Sequence, residues 1–187
     1  MKRLILMLAL SIGASTANAN EFGVSPVTYQ IGDQGPAGGI VFYISPDGSS
    51  GMEAASHDVL DSAGNSLTAR WGCYGIDIPQ ASEIKIGTGR ANTAAIITRC
   101  KRKGTTAALL ASQYKWQNGQ TDGFLPSKDE LHQLYLHRDV VGGFANGFYR
   151  SSSESDTYYA WSQSFSGGYQ NYGGKNSSYL VRAVRAF

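Results

Sequence analysis

Charge is scarce in this chain: only 16% of 187 residues are charged, and 16 Lys and Arg stand against 14 Asp and Glu. Two of those cations, Lys2 and Arg3, lie in a segment expected to be removed, and without them the balance is zero. A neutral domain projects no global positive field, which argues against nucleic acid as a partner. After Ile12 no long apolar run follows, so no transmembrane anchor is expected. There are only two cysteines, Cys73 and Cys100, and neither has a CxxC partner, which disfavours a zinc site. A GxSxG elbow and a DxDxDG calcium loop are also missing. What the chain does hold is 23 glycines and 11 tyrosines, a composition suited to a turn-rich, strand-containing secreted fold.

Lys2 and Arg3 precede an apolar run from Leu4 to Ile12 and the small-residue site Ala17-Asn18-Ala19. This is the pattern of a secretory signal peptide over residues 1–19, cleaved after Ala19. Removal of those 19 residues from 187 leaves 168, enough for one domain with one core. The expected compartment is the periplasm, the cell surface or the medium. In that oxidising setting an even cysteine count reads as one disulfide. The loop it would close spans 27 residues, worth roughly 3.5 kcal/mol in the chain-entropy model. A catalytic thiol is the competing reading, but a disulfide removes the thiolate it needs.

Residues 20–34 show no clear periodicity and read as a lead-in; residues 35–187 read as a single ligand-binding domain. Gly32 to Gly38 imitates two collagen triplets, yet a triple helix needs many, so a Gly/Pro turn is the better account. Ile40 to Ile44 is a β-branched and aromatic run ending at Pro46-Asp47-Gly48, a strand expected to turn back through Met52 to Ala55. Ala91–Cys100 and Thr105–Gln113 are helix-like. Ser127 with Glu130 three residues on forms a capping box, followed by Leu131, Leu134, Tyr135 and Arg138 on one helical face to about Arg138. From Phe148 the pattern turns to strands: Tyr158–Phe165, a Gly167-Gly168 turn, then Tyr179–Phe187 as an internal strand, a candidate partner for Ile40–Ile44. Strand, helices and then strands define an α+β class, with two to three helices against short antiparallel sheets.

Most catalytic readings fail on spacing. His132 and His137 sit five apart on one helix and point away from each other, which disfavours a metal site. His57-Asp58 supplies two thirds of a triad without a nucleophile elbow. Glu130 is explained by the capping box. Two features remain. Arg99, Lys101, Arg102 and Lys103 pack four cations into five residues; they read as a solvated inter-helix turn or as a site for a sulfated or phosphorylated glycan. Lys85, Arg90 and Lys115 are candidates to extend it. The other feature is residues 151–179, where tyrosines stand among serine, glycine and asparagine as they do in antibody paratopes. Trp161 and Phe165 are expected in the core. Tyr169, Asn171, Tyr172 and Lys175, beside the Gly-Gly turn, are expected at the surface as ligand contacts.

Several ordered motifs carry a family resemblance: Gly35-Pro36-Ala37-Gly38-Gly39-Ile40-Val41-Phe42-Tyr43, Trp71-Gly72-Cys73, Ile86-Gly87-Thr88-Gly89 with Asn92-Thr93, Phe124 to Leu131, Tyr149 to Glu154, and Val181 to Arg185. Together they resemble the bacterial exported domain family typified by the C-terminal domain of the Legionella collagen-like adhesin, over nearly all of residues 20–187. The resemblance implies a C-type-lectin-like fold, binding of sulfated glycosaminoglycan-like polymers outside the cell, and a homotrimer. Gly123 and Arg150 stand where that family usually has tryptophan. The Glu-Pro-Asn and Trp-Asn-Asp motifs of calcium-dependent lectins are absent, so no calcium cofactor is implied. The paired copper-binding cysteines of the similar formylglycine-generating enzymes have no match.

The resulting expectation is a secreted, non-enzymatic adhesin-like domain without cofactor, recognising a glycan or a cell-surface protein. Its rivals are an envelope-acting enzyme using His57 and Asp58, and a structural subunit of a surface assembly.

Overall fold

The computed structural model describes residues 28–102 and 104–187. The expected signal peptide, most of the lead-in and Lys103 lie outside the described residues. The domain is α+β. Strands β1 (Ile40–Ile44), β2 (Gly51–Ala54) and β3 (Thr68–Arg70) precede a 3-10 turn at Pro79–Ala81 and helices α1 (Gly89–Cys100), α2 (Ala107–Ser112), α3 (Lys128–Leu136) and α4 (Arg138–Val141). Strands β4 (Phe148–Glu154), β5 (Tyr159–Ser164), β6 (Gln170–Gly174), β7 (Ser178–Leu180) and β8 (Val184–Ala186) follow. The described residues thus hold four α-helices rather than two to three, the extra one being the single turn of α4.

The expected β1–β2 hairpin forms, with Gly48 at φ +71° closing the Pro46-Asp47-Gly48 turn. Just before it, residues 32–34 lie alongside β1: Gly32 N–H donates to Val41 O, and Val41 N–H to Asp33 O. The C-terminal run, however, is not one strand paired with β1. It breaks into β7 and β8, and β8 pairs with β2, giving the order β1-β2-β8. The reason is electrostatic as much as geometric. Glu53 on β2 lies opposite Arg185 on β8, and both are buried with Arg185 Nη1 2.7 Å from Glu53 Oε1. A buried carboxylate is tolerated only with such partners. Glu53 also accepts the Gly39 N–H at 2.7 Å and the Ala37 N–H at 3.0 Å, fixing the Gly/Pro turn against the sheet.

The second sheet runs β3-β7-β4-β5-β6. It carries α3, whose capping box is complete: Glu130 N–H donates to Ser127 Oγ, and Ser127 N–H to the Glu130 carboxylate. Leu131 and Leu134 are buried as the spacing requires, and the helix ends at Leu136, two residues short of expectation. Glu130 does more than cap its own helix. Its carboxylate also accepts the N–H groups of Gly87 and Gly89, tying the start of α1 to the start of α3. Burial pushes its pKa up, against the pull of those donors. On α1, Asn92, Thr93, Ile96 and Cys100 form the buried face.

Apolar side chains gather in two clusters. Trp71, Ile96, Leu125 and the cysteine pair form one; Phe42, Leu131, Leu134, Tyr149, Phe165 and Val184 form the other. Gly123 and Arg150, where the resembled family has tryptophan, are both buried. A Cβ at Gly123 would meet Ala111 O at 2.6 Å, so the chain passes there without a side chain. Arg150 donates to the carbonyls of Ala160, Gly173, Gly174 and Ser177, and stacks 4.1 Å from the Tyr179 ring. Burial holds its pKa down to about 10.

Candidate functional site

Cys73 and Cys100 form the expected disulfide, with Cα atoms 5.5 Å apart. It joins the end of α1 to a backbone kink. Gly72 has φ +110° and Cys73 has φ +51°, the one left-handed non-glycine among the described residues. A Cβ at Gly72 would meet Thr106 Cγ2 at 2.6 Å and the Cys100 sulfur at 3.3 Å, so only glycine lets the two segments close. The kink delivers Tyr74 to the surface, 54% exposed. The basic loop leaves Cys100 through exposed Lys101 and Arg102 and returns at Thr105. Cys100 is tied to Cys73, the residue before Tyr74, and Thr105 lines the same cleft as Tyr74.

Tyr74 meets a second exposed ring, Tyr158, at 5.2 Å between centroids. Beside Tyr74 a cleft of about 190 Å³ is lined by Arg70, Thr105, Lys175 and Asn176, with Gly72 and Cys73. It continues through Arg70 and Thr105 into a wider groove of about 450 Å³ reaching Leu67, Thr68 and Leu110.

A separate aromatic platform lies on β5 and β6. Tyr172 sits edge-on to Tyr159 (5.6 Å) and to Trp161 (5.8 Å), and Lys128 Nζ lies 4.5 Å over the Trp161 ring. Trp161 is therefore half-buried at the surface rather than a core residue, whereas Phe165 is core as expected.

The expected ligand contacts scatter. Tyr169, Asn171 and Tyr172 are exposed. Strand side chains alternate, however, so Tyr169 and Asn171 leave one face of β6 and Tyr172 the other. Tyr169 packs edge-on to Phe148, 5.8 Å away, apart from the platform. Lys175 corrects the expectation outright: it is fully buried. Its ammonium pairs with the Glu154 carboxylate, donates to Ile76 O at 2.8 Å and lies 4.7 Å over the Trp71 ring. A lysine flanked by glycine and asparagine looks like surface, but here it neutralises a glutamate that the core has already enclosed. Arg99 is exposed in a different groove of about 510 Å³, with Asp77, Gln80 and Thr98. Cys100 separates it from Lys101 and Arg102.

The histidines take local roles. His57 Nδ1 lies 2.7 Å from the backbone oxygen of Asp58, while the Asp58 carboxylate binds Arg182, Tyr149 and Ser66. The two do not form a dyad. His137 Nδ1 is 3.0 Å from Gln133 O, and His132 Nδ1 is 3.3 Å from Gln163 Oε1. Among the described residues no group of three His, Cys, Asp or Glu is placed to hold a metal ion, and no helix is long and apolar enough to cross a membrane.

Tyr74, Arg70, Thr105 and Asn176 were not legible as a set, although one signal pointed there. A disulfide between residues 73 and 100 ties the start of the basic segment to the residue before Tyr74. No model of a known protein family matches the chain, and no curated protein matches it either.

Proposed function

We propose that the domain is an exported, non-enzymatic binding module whose ligand is a glycan carrying anionic groups. The observation that supports it most is the cleft lined by Tyr74, Arg70, Thr105 and Asn176 where the disulfide ties the end of α1 to the Gly72-Cys73 kink, with Lys101 and Arg102 exposed just after Cys100. Aromatic rings offer rigid contact area at little entropic cost, and clustered cations hold anionic groups by charge-assisted hydrogen bonds. The buried titratable groups favour binding over catalysis, since Asp58, Glu53 and Glu154 are each committed to a cation inside the fold.

Retention on immobilised heparin tests this reading. The protein is expected to elute only with added salt. The triple variant Lys101→Ala, Arg102→Ala, Lys103→Ala should elute earlier, because fewer counterions are released. Elution in the flow-through, together with a blank glycan array, would overturn it. Sedimentation of the same sample reports whether the trimer implied by the resemblance forms.

A further inference from the structure

The cleft beside Tyr74 contains a cation that the fold does not use. Arg182 and Arg185 are buried on carboxylates, Arg150 is buried on carbonyl oxygens, and Arg138 pairs with Asp139. Arg70 is exposed, and its side chain makes no hydrogen bond or ion pair with any described residue. Its position is set by the strand. Along β3 only Ala69 is buried, so Thr68 and Arg70 project together into the groove. The backbone of Arg70 is held on both sides, paired with Ser178 on β7 and bridged to Thr106.

What remains is a concave wall of different chemistries. Tyr74 offers a half-exposed ring face, Thr105 a hydroxyl, Asn176 an amide with donor and acceptor, and Arg70 a free planar guanidinium. A ring for an apolar face, an amide and hydroxyl for hydroxyls, and a fork for an acid match one acidic sugar residue. About 190 Å³ suits a single sugar ring, and the adjoining groove of about 450 Å³ gives its chain a path along β3.

We propose that this cleft seats one acidic sugar residue, its anionic group on Arg70 and its apolar face on Tyr74, with the remaining glycan running toward Leu67 and Leu110. The proposal rests on the glycan-binding reading and adds a specific subsite and specificity to it. Lys101 and Arg102, exposed just after Cys100, supply long-range attraction; Arg70 selects the residue that enters.

The test uses the full chain, titrated by NMR with glucuronate, glucose 6-sulfate and glucose. At least one acidic sugar is expected to shift the Arg70 Nε–H and Asn176 side-chain amide signals, and glucose to shift neither. Arg70→Ala, at an exposed side chain without a partner among the described residues, should keep the native spectrum and weaken that binding roughly tenfold. Arg70→Lys should retain part of it, and Tyr172→Ala, outside the cleft, should bind as the native protein does. The cleft proposal falls if glucose binds as well as the acids, if Arg70→Ala binds unchanged, or if the shifts appear at Tyr159 and Tyr172 instead. In those cases heparin retention would still stand for the broader reading. Absence of any shift beside intact heparin retention also removes the subsite alone, whereas loss of both removes both.

Discussion

The ammonium of Lys175 and the carboxylate of Glu154 meet inside the core, both nearly inaccessible to water, with the Trp71 ring beneath the cation. Glu154 also accepts the Ile78 N–H at 2.9 Å, so the pair holds the segment after Tyr74 against the β4 edge. Removing one member strands the other charge. Lys175→Ala is expected to cost about 3–5 kcal/mol, and the double change Lys175→Met with Glu154→Leu to cost less than either single change. Urea unfolding followed by circular dichroism measures both.

The disulfide ties the start of the basic loop to Cys73, which lines the cleft. Reduction, or Cys73→Ser with Cys100→Ser, is expected to lower stability by about 3 kcal/mol. It should also weaken heparin retention at temperatures where the domain stays folded, because the start of the basic loop is no longer tied to the cleft wall. Thermal melts with and without reductant, paired with the column assay, give both numbers.

Arg185 holds the Asp122 carboxylate with bonds of 2.8 to 3.1 Å and keeps its pKa below the ordinary 3.8. The depressed value means this contact contributes fully above the unfolded pKa. Its contribution fades as pH falls through the folded one. Stability should therefore decline on the acid side, below about pH 4. Asp122→Asn should lose about 1 kcal/mol at neutral pH and show a flatter acid limb, read from melting temperatures across that range.

Ser127 anchors α3 through its capping bond to Glu130 N–H at 3.3 Å, and its own hydroxyl donates to Lys85 O at 2.9 Å. Ser127→Ala is expected to cost about 1–2 kcal/mol. Ser127→Asp should recover less than a cap usually does. It replaces the hydroxyl donor and sets a second carboxylate beside the buried Glu130. Denaturant midpoints distinguish the two variants.

Elements written in local signals were legible from the residues. The capping box, the Pro46-Asp47-Gly48 hairpin and the two helices flanking the basic loop each depend on neighbours within a few positions. The disulfide followed from counting. Pairings set by distant partners were not legible. β8 chose β2 because Glu53 needed Arg185, 132 residues away, and Lys175 left the surface because Glu154 needed a cation. The candidate site was half legible. Composition marked residues 151–179 as aromatic and the Arg99–Lys103 segment as basic. It did not show that alternation parts Tyr169 from Tyr172, or that Tyr74, Arg70 and Thr105 line one cleft.

Residues 180–184 pass from the five-stranded sheet to the three-stranded one without leaving the interior, and Arg182 at their midpoint grips Asp58 and the carbonyls of Ala55 and Gly142. One short thread is thus common property of both halves. Melting of either half must pull on the other, so amide hydrogens on Met52 and Ala54 should trade for deuterium at the same slow pace as those on Tyr149 and Leu180.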